Sequence, residues 1–127
     1  MEFSKWLTTN IKQCEDVYSA MAPKFHTWFY SYCKRKGIKV KQSDVVNEAI
    51  DSAIKFRLGL SDSYTLVNDK LVSEVLESLM YGAMSKSLKN ICNQFLVNCK
   101  LQHIDSALVQ TLNTTININH NSKLDYL

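Results

Sequence analysis

The clearest chemical pattern in this sequence is a set of acid and amide side chains at helical spacing. Asp44, Asn47, Glu48 and Asp51 occupy positions i, i+3, i+4 and i+7, which lie on one face of a helix. Valine, alanine and isoleucine residues occupy the opposite face, so we expect the polar face to be exposed. Carboxylates accept paired hydrogen bonds from arginine, and such a ridge therefore suits a basic protein surface. An ordinary solvated helix face is the alternative.

Other reactive residue types are present, but not in patterns that build a catalytic or metal site. The cysteines (Cys14, Cys33, Cys92, Cys99) lie too far apart for CxxC pairs, and the histidines (His26, His103, His120) form no HExxH spacing. Phosphate-binding glycine loops and the GxSxG nucleophile turn are also missing from the sequence. We therefore expect that the protein is not an enzyme and that it binds no metal and no cofactor. We expect the cysteine thiols to be reduced and buried. A deep pocket holding His26 or His103 beside a carboxylate would instead indicate a small enzyme.

A second charged feature is a run of five basic residues within eight positions. The run consists of Lys34, Arg35, Lys36, Lys39 and Lys41. It could follow a DNA backbone or bind an acidic partner, and a solubilising helix end is the equal alternative. The net charge of +3 is too small to identify a nucleic-acid-binding protein without further evidence.

The elements that must position these residues are predicted to be helices of one domain. In 127 residues there are only three glycines and one proline, which is few for an all-β protein. With 46% apolar residues the chain has enough material for one core. No run of about 18 apolar residues and no secretory leader are visible, so we expect no membrane contact and a cytoplasmic location in a bacterial host cell.

Apolar periodicity predicts an all-α fold, a compact bundle of four to five helices with a flexible C-terminal tail. We expect helices over residues 4–20 with Ser4 as N-cap, from Pro23 to Gly37, from the Ser43 cap to Gly59, and over residues 68–100. In the last helix Gly82 either introduces a bend or permits close packing. A short helical turn over residues 104–112 is a further option. Residues 1–112 would form the body, and the asparagine-rich residues 113–127 the tail.

Residues 44–49, which read DVVNEA, resemble the D-L/V-V-Q-E-A/V core-binding helix in the second domain of bacterial RNA polymerase sigma factors. The resemblance covers roughly residues 20–95. It implies that Asp44, Asn47 and Glu48, with Asp51 one turn on, contact a coiled coil of the largest polymerase subunit. Asn47 stands where that family usually has glutamine, which shortens the reach by one methylene.

The same resemblance implies an aromatic and basic helix that contacts promoter DNA. Tyr81, Lys86, Lys89 and Asn90 would serve here, because bases stack on aromatic faces and lysines neutralise phosphates. The tryptophan pair of many primary sigma factors is missing from this segment. A helix whose lysines are merely solvated is the alternative.

The C-terminal residues Leu124, Asp125, Tyr126 and Leu127 resemble the L-D-F-L end of the late-transcription sigma factors of T-even-type phages. In those proteins a C-terminal peptide binds the DNA sliding clamp, and a short tethered apolar peptide is suited to that contact. The implied function is a small phage-type sigma-like factor that binds core RNA polymerase, promoter DNA and possibly a clamp.

The main rival function is a non-catalytic helical interaction module, such as a phage inhibitor of a host factor or an oligomeric structural subunit. Such a module would use an interface on the aromatic helix that contains Trp28, Phe29 and Tyr32. Its binding should depend little on salt, whereas sigma-like DNA contacts should weaken steeply as salt rises.

Overall fold

The computed structural model describes residues 2–123, and the secondary structure of this part of the chain is entirely helical. The five helices are α1 (Phe3–Thr9), α2 (Ile11–Arg35), α3 (Asp44–Arg57), α4 (Lys70–Tyr81) and α5 (Lys86–Lys123). Helix α2 lies at the centre and packs against α5 on one side and α3 on another, while α4 packs on α3 and α1 closes the end formed by α2 and α5. The predicted all-α bundle of four to five helices is confirmed.

The core of the bundle is aromatic and lies along α2. Tyr18 and Phe25 stack with ring centroids 5.2 Å apart, and Phe95 of α5 meets Tyr18 edge-on at 6.3 Å. Trp28 and Phe29 continue the buried face of α2. Aromatic side chains therefore form the buried face of the helix predicted from Pro23, and they position α2 against both α3 and α5.

The N-terminal helix boundary differs from the prediction. The first helix is interrupted at Asn10 instead of near residue 21, and Pro23 lies inside α2. At the break the Asn10 side-chain amide donates to the Trp6 carbonyl at 3.0 Å, in addition to the hydrogen bond from the Asn10 backbone amide at 2.9 Å. Pro23 is tolerated because buried residues on both sides hold the helix in place. Helix α1 begins at Phe3 with Glu2 as its N-cap, so the predicted Ser4 cap is wrong.

The predicted boundaries around α3 are confirmed. The hydroxyl oxygen of Ser43 accepts a hydrogen bond from the Val46 amide at 3.2 Å, which caps the N-terminus. Gly37 ends the turn after α2 and Gly59 the turn after α3, with φ angles of 73° and 80° that favour glycine.

Two apolar residues, Val45 and Leu71, are exposed although they belong to the apolar pattern of their helices. Val45 and Leu71 lie in the first turns of α3 and α4, and the residue after each turns towards the core. Adjacent helical residues point about 100° apart, so only one of each pair can face inward.

The helix predicted over residues 68–100 is divided into α4 and α5. Gly82 adopts an extended conformation at the end of α4, and the Ser85 hydroxyl caps α5 by accepting from the Leu88 amide at 3.3 Å. A Cβ atom at Gly82 would lie 2.7 Å from the Ser78 carbonyl oxygen, so this close approach requires glycine. The prediction of one bent helix is therefore wrong, because local caps end α4 and start α5 separately.

Helix α5 continues to Lys123. It includes the optional turn over residues 104–112, and its helical backbone also covers residues 113–123 of the segment predicted as a tail. The predicted clamp-binding residues lie outside the described part of the chain.

None of the helices over residues 2–123 is sufficiently long and apolar to cross a membrane. All four cysteine thiols are buried and free, as expected from their spacing.

Arg57 at the end of α3 holds the C-terminus of α4. Its Nη1 donates to the carbonyl oxygens of Leu79 at 3.3 Å and Gly82 at 2.5 Å, and more weakly to that of Met80 at 3.5 Å. The last carbonyls of a helix have no intrahelical donor and carry partial negative charge, so a guanidinium is well suited to them. Arg57 therefore fixes the α4 end and the turn to α5.

We expect Arg57→Met to lower the free energy of unfolding by about 1–2 kcal/mol, because it keeps the apolar stem and removes the donors. Urea denaturation followed by circular dichroism measures this change. Arg57→Lys, which keeps the charge but not the fork of donors, should lose less. Equal stability of Arg57→Met and the wild type would contradict the assigned role.

Candidate docking site on helix α3

The polar residues of α3 divide into an exposed pair and a half-buried pair. Asp44 and Glu48 are exposed, whereas Asn47 and Asp51 are half-buried against α2. The prediction that all four face solvent is therefore wrong for Asn47 and Asp51. The reason is that α2 lies beside this edge of α3 and offers hydroxyl and imidazole partners to the two side chains closest to it.

Asp51 joins α3 to two residues of α2. Its Oδ1 atom accepts a hydrogen bond from the Tyr18 hydroxyl at 2.7 Å and lies 2.6 Å from Nε2 of His26. Tyr18 is fully buried, and burial, reinforced by the Asp51 carboxylate, raises the pKa of its hydroxyl above the ordinary value of 10.0. The hydroxyl therefore stays protonated and donates to Asp51.

Asn47 makes the second link between α3 and α2. The Tyr30 hydroxyl donates to Oδ1 of Asn47 at 2.7 Å. Tyr18, His26 and Tyr30 lie at intervals of eight and four residues on α2, so one face of that helix contacts one edge of α3. Sequence reasoning missed these partners, although their spacing along the aromatic helix was the available signal.

The free edge of α3 is smaller than predicted and has mixed chemistry. It consists of Asp44, Val45 and Glu48, which we call the α3 acidic edge, and Val45 is 64% exposed. Two carboxylates beside an exposed valine can accept hydrogen bonds from basic side chains and also cover an apolar surface. Because Asn47 and Asp51 fix the rotation of α3, this edge is held in one orientation.

The predicted DNA-binding residues lie on two helices. Tyr81 ends α4 and is 67% exposed, with its ring edge-on to Phe56 at 5.6 Å. Lys86, Lys89 and Asn90 are exposed in the first turns of α5, beyond the break at residues 82–85. The prediction that one helix carries all four is therefore wrong, but all four side chains reach solvent.

An aromatic ladder connects the basic run to the start of α5. Lys36 lies over the ring of Tyr32 at 5.7 Å, Tyr32 stacks on Trp28 at 5.2 Å, and the Trp28 indole donates to the Ser87 hydroxyl at 2.9 Å. A cleft of about 320 Å³ lies between them, with Lys36 on one wall and Ser85 on the other. The folded chain therefore brings Lys36 of the basic run close to the N-terminal turn of α5, which the sequence alone did not indicate.

The interface expected for the rival interaction module is not available. Trp28 is 8% exposed and Phe29 is fully buried, and both belong to the core, while Tyr32 is half-buried in the ladder.

The pocket that would indicate a small enzyme is not among the five described clefts. The carboxylate of Asp51 does lie beside His26, but these clefts are lined by other residues. Across residues 2–123, no group of three or more histidine, cysteine or acidic residues is arranged to hold a metal ion.

The chain matches no protein-family model, no curated protein and no solved structure.

We expect Asp51→Ala to lower the free energy of unfolding by about 1–3 kcal/mol, because it leaves the buried Tyr18 hydroxyl without an acceptor. Glu48→Ala on the exposed edge should change stability by less than about 0.5 kcal/mol. Urea denaturation of the two variants makes the comparison. Equal effects would contradict the assignment of Asp51 as the link between α2 and α3.

The raised pKa of Tyr18 also predicts a dependence on pH. A pKa above the unfolded value gives stability that is fully present below about pH 10 and is lost as the pH rises further. Tyr18→Phe lacks this titration, so its stability should fall less steeply than that of the wild type between pH 9 and about pH 11. Parallel curves would contradict the prediction.

Proposed function

We propose that this chain is a non-catalytic, sigma-like transcription factor that binds core RNA polymerase through the α3 acidic edge and contacts promoter DNA. The observation that carries the proposal is the exposed pair Asp44 and Glu48, presented by a helix that its neighbours hold in place. These two residues belong to the segment that resembles the core-binding helix of sigma factors.

The burial of Asn47 and Asp51 limits the proposed polymerase contact to the α3 acidic edge. Asn47 and Asp51 already have partners on α2, so they act as positioning residues and hold α3 in place. Asp44 and Glu48 lie one turn apart and are both exposed. They would accept hydrogen bonds from basic residues of the polymerase. Val45 beside them would cover an apolar part of that surface.

The proposed DNA contact uses a basic area on a different part of the molecule. The exposed residues Lys86 and Lys89 lie in the first turns of α5, and Lys36 of the basic run lines the same cleft as Ser85. These three lysines supply positive charge for phosphates, and Tyr81 at the end of α4 offers an exposed ring for an unpaired base. Separate acidic and basic areas are what a bridge between a protein and DNA requires.

Contact with a sliding clamp through Leu124–Leu127 remains part of the proposal on sequence grounds alone, because these residues lie outside the described structure. A bacterial host cell is likewise part of the proposal.

We expect the double variant Asp44→Lys/Glu48→Lys to lose co-purification with purified bacterial core RNA polymerase, because it replaces both acceptors with like charges. The matched control is Glu74→Lys/Glu77→Lys, which makes the same charge change at exposed positions of α4. The control should be retained like the wild type. Equal retention of the wild type and the Asp44/Glu48 variant would show that the docking face is misassigned.

We expect Lys86→Glu/Lys89→Glu to weaken binding of promoter DNA by the polymerase complex at least about tenfold at low salt and to reduce the salt dependence of binding. Lys5→Glu/Lys12→Glu, at exposed positions near the opposite end of the chain, is the control with the same change in charge. Fluorescence anisotropy over a salt series measures both properties. An identical salt slope for the two variants would exclude α5 from the DNA contact.

A further inference from the structure

The second half of α5 carries an apolar stripe that faces away from the core. Its members are between 45% and 59% exposed: Val97, Leu101, Ile104, Leu108 and Leu112. The buried residues of α5 lie on the opposite face: Leu88, Cys92, Phe95 and Cys99. An amphipathic helix needs only one apolar face to join its own core, so the second face requires a separate explanation.

The spacing of the stripe is that of a coiled-coil seam. Val97, Leu101, Ile104 and Leu108 are separated by four, three and four residues, and Leu112 lies one residue beyond the next seam position, at the edge of the stripe. This alternation places successive side chains along one line, where they can insert between those of a second helix. The stripe therefore indicates a helix as its partner.

Two charged residues beside the stripe indicate which helix that is. With Leu101 at an a position and Ile104 at d, Lys100 is a g residue and Asp105 is the following e residue. Both are exposed. In a parallel pair of identical helices, each g residue faces the e residue five positions on in the other chain. Lys100 of each chain would therefore face Asp105 of the other, which gives two ion pairs by symmetry.

An antiparallel pair of the same helices would be less favourable. Residues at g would then face g and residues at e would face e, so Lys100 of one chain would no longer meet Asp105 of the other. The parallel arrangement is therefore the one in which these two charges pair.

A neighbouring cleft supports the same occupant. This cleft of about 570 Å³ beside the stripe is lined by Asp16 of α2 and by Leu101 and Asp105 of α5, and no lysine or arginine lines it. Two carboxylates without a cation among the lining residues leave negative charge uncompensated on this side. Lys100 lies on the other side of the stripe, so a second copy in parallel would bring its lysine towards this acidic side.

We propose that the stripe on α5 binds a second copy of this chain as a parallel two-stranded coiled coil over residues 97–112. The proposal is independent of the proposed transcription function, because it uses neither the α3 acidic edge nor the basic residues at the start of α5. The contact spans about two heptads and is short beside coiled coils of about three to four. We therefore expect a dimer that dissociates on dilution.

Analytical ultracentrifugation of the full chain over a concentration series tests self-association. We expect the average mass to rise from monomer towards dimer with concentration. Leu108→Lys should raise the dissociation constant of the dimer at least about thirtyfold, because a charge enters the seam of both chains. The control is Leu71→Lys, which changes an equally exposed leucine on α4 and should leave the constant unchanged. Circular dichroism verifies that both variants are folded.

A charge exchange tests the parallel arrangement. Lys100→Glu and Asp105→Lys should each weaken the dimer by about tenfold, and the double variant should restore it towards the wild-type dissociation constant. In addition, Leu101→Cys should form a disulfide between chains under mild oxidation with oxidised glutathione, because equal a positions meet only in the parallel pair. The native thiols are buried in the core and should not interfere.

Three outcomes would overturn the proposal. A chain that stays monomeric up to about millimolar concentration, where even weak associations are populated, would exclude self-association. A dimer that Leu108→Lys leaves intact would assign the contact to another surface. A monomer in which Leu108→Lys abolishes retention by polymerase would show that the stripe binds that partner instead. If the charge exchange fails to restore a dimer of wild-type strength, the parallel arrangement is wrong.

Discussion

The contact on which the rest of the structure depends is the carboxylate of Asp51. One oxygen atom of this side chain lies within hydrogen-bond distance of Tyr18 and His26. It therefore joins α3 to two points on the central helix that are about two helical turns apart. A buried hydroxyl without an acceptor would oppose folding, so α3 can settle in only one rotation about its axis. That rotation determines which polar residues reach solvent. The α3 acidic edge is therefore a consequence of packing between α2 and α3.

The packing also determines where the charged side chains lie. Asp44 and Glu48 are exposed on the free edge of α3, and Lys39 and Lys41 lie in the segment that leads into that helix. Lys36, at the end of α2, lines the cleft that reaches Ser85. The aromatic ladder through Tyr32 and Trp28 connects Lys36 to Ser87 in the first turn of α5.

The sequence predicted the fold class and most of the buried helix faces, because apolar periodicity is a direct result of burying one side of a helix. It predicted the Ser43 cap and both glycine turns for similarly local reasons. It placed the break in the first helix wrongly, since Pro23 suggested a boundary and Asn10 did not. It also joined α4 to α5, because Gly82 was treated as a bend, and the Arg57 contact that secures the end of α4 comes from 22 to 25 positions away along the chain. The burial of Asn47 and Asp51 was missed for the same reason, because their partners lie on another helix.

The two faces of α5 show how far periodicity alone can be taken. Apolar periodicity does not say whether an apolar residue of this helix faces its own core or another molecule. The structure separates the two sets, since Phe95 and Cys99 are fully buried while Leu101 and Ile104 are about half exposed. A helix that is apolar on two sides has more apolar surface than its own domain can cover. The physical requirement to cover the second face then falls on another molecule, and the placement of Lys100 and Asp105 beside it favours an identical helix in parallel.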